Sequence, residues 1–452
     1  MPAELNLATT ATDADGRPTR ELPIRQLVQM SLYWFGLSSI FAGLTAIMGG
    51  RLEFTHLVGP GEAGRALFAT TIGGALIAVI VQPTIGSISD YTTSRWGRRK
   101  PYILIGSLLD VVFLIGIALS NNLVSIAAFI TLLQFSSNFA QGPFQGYVPD
   151  LVPRKQVGLA SALVGLFQIL GNVGGFAIGA IAITTKQFEL GLIALGVVEV
   201  ATMLGVFFGV REGTTPKPRN GRSWRSIAAE AWGTDVLRER SFLWLVGSRL
   251  AILMAGGILV NLAVFYLRRA QGLTQEQTGT AYLVMVGLVA IGTVIAVVPS
   301  ARISDRIGRK KVIYASCALG AVGLGIVALA PALPIVYAGV AIYGVSAGIF
   351  LAVDWALMTD IIPKASSGRY MGMSNVATAS AGVFATAFGG TLMDLVGGPA
   401  ALGSGPRAAL IFGVALCGLG ALLLRPVDER RREDIPSTAG PDQRFGDPVV
   451  AV

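Results

Sequence analysis

The sequence is poor in the residues from which metal centres, disulfide frameworks and soluble surfaces are built. Its 452 residues include one His and two Cys, which excludes a His cluster, a disulfide framework and a Cys-based metal site. Charged residues make up 13% of the chain, whereas about 25% is typical of soluble domains. These shortages argue against a metalloenzyme, a disulfide-stabilised domain and an ordinary soluble protein.

Apolar residues and glycine are what the chain has in excess. Hydrophobic residues make up 53% of it, there are 57 Gly, and the mean hydropathy is +0.64. Helices of about 17–25 apolar residues span a bilayer. The sequence contains twelve such stretches, at roughly 26–48, 66–89, 101–120, 122–149, 156–184, 188–210, 242–267, 277–300, 312–331, 334–359, 368–393 and 407–424. We therefore predict an all-α, polytopic membrane protein.

The net charge of +9 is explained by membrane topology rather than by binding to nucleic acid. With the N-terminus inside, 28 of the 35 Arg and Lys residues fall in cytoplasmic segments. Six fall outside, namely Arg51, Arg65, Lys186, Arg268, Arg269 and Arg407. Residues 1–25 lack the apolar core of a signal peptide. The excess of cations inside predicts a cell-membrane protein with both termini in the cytoplasm and no nucleic-acid partner.

The most informative stretch is residues 86–101, Gly-Ser-Ile-Ser-Asp-Tyr-Thr-Thr-Ser-Arg-Trp-Gly-Arg-Arg-Lys-Pro. A shorter version occurs at residues 303–311, Ile-Ser-Asp-Arg-Ile-Gly-Arg-Lys-Lys. Both lie between apolar runs, and both place Ile-Ser-Asp before Gly-Arg; the first copy has four additional residues between Asp and Gly. A loop that only fixed topology by its cations would need neither the Asp nor the Gly.

Other segments repeat at a similar distance, which indicates two related halves. Asp150-Leu-Val-Pro recurs as Asp360-Ile-Ile-Pro, 210 residues later, and the two Ile-Ser-Asp sequences are 215 residues apart. We predict a cytoplasmic tail (1–25), a six-helix bundle (26–210), a linker with an amphipathic surface helix (211–241), a second six-helix bundle (242–425) and a disordered tail (426–452).

The repeated pattern Asp-x-x-Gly-Arg, followed by further cations, resembles the loop motif of the major facilitator superfamily. The longer first copy resembles the sucrose transporter and glycoside–pentoside–hexuronide cation symporter branches. The resemblance implies a secondary transporter rather than an enzyme, whose two halves rock about a central site. It also implies no cofactor, a small-molecule substrate moved with a proton or sodium, and a monomer in the lipid bilayer.

This resemblance also assigns a gating role to the loop residues. It implies that Asp90 meets the start of the eleventh span near residues 366–368, and that Asp305 meets the start of the fifth near 156–158. The Arg and Asp residues would pair across each half, and the two Gly residues would permit tight turns. The gating set is Asp90, Arg95, Gly97, Arg98, Arg99, Asp150, Asp305, Gly308, Arg309 and Asp360, with Arg98 paired to Asp150 and Arg309 to Asp360. The alternative is that these charges are solvated and only set topology.

Four charged residues lie deep in predicted spans, where charge is costly and usually functional. Arg249 and Asp354 lie at similar depths of ~9–13 Å from the cytoplasmic side, and we predict that they face each other. Asp354 would then titrate while its pairing with Arg249 alternates; the alternative is a fixed ion pair. Asp110 is a further coupling candidate that must be protonated, turned inward or paired, and Glu199 a weaker one. Glu53, by contrast, is predicted to lie in an outer loop at the surface.

Uncharged polar and aromatic residues in the predicted cavity helices suit a neutral, hydroxylated ligand. Asn138, Gln141 and Gln145 are spaced three and four residues apart and share one helix face. Tyr33, Trp34, Asn261 and Trp355 are predicted to add hydrogen bonds and a stacking wall. The alternative for each is a hydrogen bond between spans. The sequence thus favours a proton-coupled symporter of a sugar or glycoside, with a proton-coupled exporter of drugs or metabolites as the alternative.

Overall fold

The computed structural model describes residues 19–55, 57–59, 61–92, 94–210, 212, 223, 240–361, 374, 377–378, 380–397 and 403–427. Within these residues the regular structure is helical, which confirms the predicted all-α class. The long helices are α1 Ile24–Phe54, α2 Ala63–Ser89, α3 Lys100–Leu119, α4 Leu123–Gln145, α5 Val157–Thr185, α6 Phe188–Gly209, α7 Arg240–Asn261, α8 Gln275–Ile307, α9 Arg309–Leu329, α10 Leu333–Ile361, α11 Ser380–Gly397 and α12 Ser404–Leu424.

Most of these helices have the length and composition of membrane spans. In the described part of the chain, eleven are long and apolar enough to cross a bilayer; α2, with 27 residues, stands where the second span was predicted. Large apolar side chains lie on their outer surfaces, as expected for contact with lipid, and among the most exposed are Leu119, Val124, Phe208, Leu329 and Leu395.

The first helix extends further than its apolar core predicts. The predicted span ended near residue 48, but α1 continues to Phe54, so Arg51 and Glu53 belong to a helix and not to a loop. Arg51 is buried and donates hydrogen bonds to the Ile117 carbonyl (2.8 Å) and the Ser120 carbonyl (2.7 Å). It therefore caps the end of α3, where carbonyls lack helical partners, instead of acting as an outer-loop cation.

The end of α9 is capped in a comparable way. The Tyr266 hydroxyl donates to the Val327 carbonyl at 2.5 Å. Arg407, at the start of α12, donates to the carbonyls of Ala328 (2.8 Å) and Ala330 (3.0 Å). Arg407 was also counted as an outer-loop cation, but here too the side chain donates to carbonyl groups at the end of a helix.

The chain divides into two compact units, and the first is built around α1. This unit lies within Met1–Ala231 and adds Leu267–Val286. In it α1 packs against α5 and α6, α2 against α4, and α3 against α4 and α6. The contact between α1 and α5 depends on glycine, because a Cβ on Gly171 would lie 2.5 Å from the Phe35 carbonyl oxygen. Small residues allow such close approach of membrane helices.

The second unit lies within Trp232–Tyr266 and Gly287–Val452. In it α9 packs against α10 and α12, and α7 against α12. In this division Leu267–Val286 groups with the first unit, although it lies within the range predicted for the second bundle. The two tails before residue 19 and after residue 427, and the predicted surface helix of the linker, lie outside the described residues.

Candidate functional site

The first basic loop forms a charge network centred on Arg99. Gly97 adopts a φ of +117°, which disfavours side chains with a Cβ, and this turn carries the chain into α3. Arg99 is 5% exposed; it donates to the Pro143 carbonyl (2.6 Å) and forms ion pairs with Asp90 (2.6 Å) and Asp150 (2.5 Å). Because Arg99 contacts three segments of the first unit, it ties the loop to the end of α4.

The structure contains the predicted Arg98–Asp150 pair, but the sequence did not indicate that Arg99 is the centre of the network. The expected partner of Asp90, near residues 366–368, lies outside the described residues; among the described residues Asp90 pairs with Arg99. Arg95 is exposed, with its guanidinium 5.2 Å from the ring centre of Trp96.

Glu212 is a member of this network that the sequence analysis missed. It follows α6, and its carboxylate accepts hydrogen bonds from the backbone N–H groups of Arg99 (3.2 Å) and Lys100 (2.8 Å). A carboxylate is favourable there because the start of α3 carries unpaired N–H groups and a partial positive charge. Burial raises the pKa of Glu212, and these hydrogen bonds partly oppose that rise. The sequence did not indicate this contact, because nothing in the predicted linker shows that Glu212 meets the start of α3.

The second basic loop is a smaller version of the first. Gly308 adopts a φ of +97°. Arg309 pairs with Asp360 (2.8 Å), as predicted, and with Asp305 (3.0 Å), and donates to Ser304 Oγ (2.9 Å). The side chain of Asp305 is 59% exposed. In this shorter loop a single arginine makes the contacts that Arg98 and Arg99 share in the first.

A buried ion pair joins α7 and α10 in the second unit. Arg249 Nη1 donates to Asp354 Oδ2, which brings together the two charges that were predicted to face each other. The side chains are 7% and 3% exposed. Arg249 Nε also donates to Thr378 Oγ1 at 3.1 Å, and its guanidinium lies 5.4 Å from the ring centre of Trp355. Asp354 Oδ1 is buried and has no donor among the described residues.

A second buried polar cluster lies in the first unit. Asp110 is turned inward from α3 and fully buried, and it accepts hydrogen bonds from Ser136 Oγ and, at 2.8 Å, from Ser137 Oγ. Glu199 of α6 is also fully buried and accepts from the Tyr33 hydroxyl at 3.2 Å. Of the alternatives considered for Asp110, the structure shows inward orientation with hydroxyl partners.

The residues predicted to contact substrate fall into two groups. Tyr33 and Asn138 are buried; the Tyr33 hydroxyl contacts Ser107 Oγ (2.6 Å) and Glu199, and the Asn138 amide donates to the Gln134 carbonyl (2.7 Å). The Tyr33 hydroxyl thus bonds between helices, as the alternative stated, whereas the Asn138 amide bonds within its own helix α4.

The other group keeps accessible surface. Trp34, Gln141 and Gln145 are half-buried in the first unit. In the second unit Trp355 is 44% exposed. Asn261 is half-buried and donates to the Gly382 carbonyl (3.2 Å) and Thr386 Oγ1 (3.1 Å).

The C-terminal end of α1 carries an ion pair that the sequence analysis missed. Glu53, predicted to be a surface residue, accepts from Arg269 Nε (2.9 Å) and Nη2 (2.7 Å), and the side chains are 9% and 8% exposed. The Arg268 guanidinium lies 5.8 Å from the ring centre of Phe54. Gln275, at the start of α8, donates to the Ile183 carbonyl of α5 at 3.1 Å. These contacts hold the Leu267–Val286 segment in the first unit.

The chain was compared with models of known protein families. The family model described as "MFS/sugar transport protein" matches residues 63–424, and so covers most of the chain. The chain belongs to this family. Its members are transport proteins, which confirms the resemblance stated above and the prediction that the protein is not an enzyme.

Several curated relatives are sucrose transport proteins. Sucrose transport protein SUT1 of Oryza sativa subsp. japonica is 31% identical over 130 residues, covering 24% of each chain. Sucrose transport protein SUC3 of Arabidopsis thaliana is 32% identical over 130 residues, covering 24% of this chain and 22% of the relative. The human membrane-associated transporter protein is 30% identical over 125 residues, covering 24% of this chain and 23% of the relative. The matches thus span about a quarter of these relatives.

Solved structures of low identity share the fold over most of the chain. A bacterial homologue of the human lysosomal transporter Spinster aligns with a TM-score of 0.71 at 14% identity, covering 93% of this chain and 100% of that one. The D-xylose–proton symporter aligns with a TM-score of 0.66 at 14% identity, covering 90% and 98%. These alignments confirm the major facilitator fold.

Proposed function

We propose that the protein is a proton-coupled symporter that carries a sugar or glycoside across the cell membrane by alternating access. The family supports transport, and the sucrose transport proteins among the relatives support a sugar as the cargo. The proposed coupling and substrate contacts come from the residues described above.

The observation that carries the proposal is the buried Arg249–Asp354 pair beside Trp355. A charge within the bilayer is retained only at a cost and usually serves function. Removing the charge of one partner of such a pair leaves the other unpaired, at a cost of about 3–5 kcal/mol. When Asp354 is protonated, its carboxyl no longer balances the charge of Arg249, and the guanidinium can then pair with another group. Trp355, partly exposed and next to the guanidinium, offers an aromatic face on which a sugar ring packs.

The proposed substrate contacts are amides and aromatic rings that are partly accessible. In the first unit these are Trp34, Gln141 and Gln145, and in the second Asn261 and Trp355. Amide groups donate and accept hydrogen bonds and carry no charge. This chemistry matches the hydroxyl groups of a neutral sugar better than it matches a charged substrate.

The charge networks at the two basic loops are the proposed cytoplasmic gate. In the first unit Arg99 bridges Asp90 and Asp150, and Arg98 pairs with Asp150. In the second, Arg309 bridges Asp305 and Asp360. Buried or partly buried ion pairs of this kind have discrete partners, so a conformational change must exchange them rather than stretch them.

The test is sugar transport by the purified protein in proteoliposomes with an imposed proton gradient. Wild-type protein should accumulate sugar against its gradient. Asp354→Asn should lose accumulation and keep sugar exchange, because substrate binding and reorientation survive without proton coupling. Glu276→Gln, which alters an exposed acid at the start of α8, is the matched control and should accumulate sugar normally.

Unchanged accumulation by Asp354→Asn would refute the coupling role. Sugar movement opposite to the proton flux in inside-out vesicles would instead identify an exporter.

A further inference from the structure

Among the described residues, the polar cluster in the first unit contains two carboxyl groups and no cation. Asp110 and Glu199 are both fully buried, and the partners found for them among the described residues are neutral hydroxyls. This differs from Asp354, whose charge is balanced by Arg249. Two unpaired anions inside a helix bundle would each cost many kcal/mol, so such groups neutralise instead.

One acceptor of the cluster has no hydrogen-bond donor among the described residues. Asp110 accepts from two serine hydroxyls of α4, and Glu199 Oε1 accepts from the Tyr33 hydroxyl. Glu199 Oε2 is buried and has no donor among the described residues. Asp110 lies one helical turn from Ser107 on α3, and the Tyr33 hydroxyl contacts both Ser107 and Glu199, so the two carboxyl groups belong to one buried cluster. Two carboxyl groups that are both acceptors form a hydrogen bond only if one of them carries a proton.

The groups that face the pair come from each helix packed against it. From α1 the titratable group is Tyr33, which also contacts Ser107 of α3 at 2.6 Å. From α4 the groups are the two serine hydroxyls. Since Tyr33 touches both Glu199 and Ser107, a change in the pair's charge acts directly on a side chain of α1.

We propose that Asp110 and Glu199 share a single proton between α3 and α6, and that this proton is released and rebound during the transport cycle. The bound proton supplies the missing donor to Glu199 Oε2. Its loss leaves two like charges in one buried cluster, which favours another arrangement of Tyr33 and hence of α1. The exchange step rests on the proposed function, whereas the presence of the proton does not.

The presence of the proton is tested by infrared spectroscopy of the purified protein at neutral pH. The carbonyl stretching band of a protonated carboxylic acid should be present in wild type and should disappear in both Asp110→Asn and Glu199→Gln. Glu189→Gln, an exposed position on the same helix, should leave the band unchanged. If Glu199→Gln does not fold, the intensity of the band is measured as a function of pH in wild type and in Asp110→Asn. The difference between the two curves then shows whether Asp110 takes part in holding the proton. Absence of the band in wild type, or its persistence in both variants, would overturn the proposal.

The exchange of the proton is tested by transport. The pH profile of sugar accumulation should shift in Asp110→Asn relative to wild type and Glu189→Gln. A lost band with an unchanged pH profile would overturn the exchange step and leave the proposed symport intact. If adding sodium at fixed pH abolishes the band, the cluster binds sodium, and the proposal is overturned. Absence of proton-coupled sugar transport in wild type, with the band present, would refute the proposed function and with it the exchange step, but not the shared proton.

Discussion

The ion pair between Glu53 and Arg269 should act as the strongest single contact that holds the Leu267–Val286 segment in the first unit. Two nitrogens of Arg269, Nε and Nη2, donate to the Glu53 carboxylate at 2.9 and 2.7 Å, and both side chains are nearly buried. Glu53→Gln removes the carboxylate from this nearly buried ion pair, at a cost of about 3 kcal/mol, the lower end of the range for such pairs. At 1.4 kcal/mol for each factor of ten, release of the segment becomes roughly 100-fold more frequent.

The release can be measured through a cysteine that the segment covers. Thr184 of α5 lies against Gly279 of α8, so Thr184→Cys places a thiol under the segment. The native Cys317 and Cys417 are buried, which keeps background reaction low. Labelling by a membrane-impermeant maleimide reports the fraction of time that the thiol is uncovered. Thr184→Cys with Glu53→Gln should label roughly 100-fold faster than Thr184→Cys alone.

Two further variants make the measurement specific. Glu62→Gln is the matched control, because the pair that Glu62 makes with Arg65 at 4.0 Å is exposed and is worth about 0–1 kcal/mol. The labelling rate should not change in this variant. The charge swap Glu53→Arg with Arg269→Glu should restore slow labelling. Equal labelling rates for Glu53→Gln and Glu62→Gln would refute the reasoning.

Three further predictions concern the free energy of unfolding of the purified protein, measured by denaturation in detergent. Gly97→Ala should lower it by about 1–2 kcal/mol because of the positive φ, whereas Gly158→Ala, where a Cβ meets nothing within 4 Å, should be neutral or stabilising. Arg51→Met should cost roughly 2–4 kcal/mol by removing two charged hydrogen bonds, and the same change at the exposed Arg65 should cost little. Because burial raises the pKa of Glu212 above 4.5, the folded state holds this proton more tightly; stability should fall as pH rises from 4.5 through the raised pKa, and Glu212→Gln should abolish that slope.

The features that the sequence predicted correctly are those written in local patterns. Apolar length predicts membrane helices without reference to any other part of the chain. The repeated Ile-Ser-Asp and Gly-Arg sequences located both basic loops, and the positive φ angles at Gly97 and Gly308 match the turns expected there. The Arg249–Asp354 pair was predictable because charges in spans are few and depth can be counted along each helix.

The features that were missed depend on how each helix is rotated. A membrane helix is apolar on nearly all faces, so its sequence does not show which side packs inward. Tyr33, which was predicted to contact the ligand, is fully buried in the structure, and its hydroxyl donates to Glu199. Glu53 was missed for another reason, since α1 continues past its apolar core to Phe54. Arg99 and Glu212 required knowledge of which loops meet.

The hydrogen bonds that cap the ends of α3 and α9 lie at corresponding positions in the two repeated halves. Tyr266 follows Arg51 by 215 residues and Val327 follows Ile117 by 210, the same intervals that separate the duplicated loop sequences. A guanidinium and a phenol thus occupy matching positions and bond to matching carbonyls. The two halves thus share a hydrogen bond to the end of the corresponding helix and differ in the side chain that donates it.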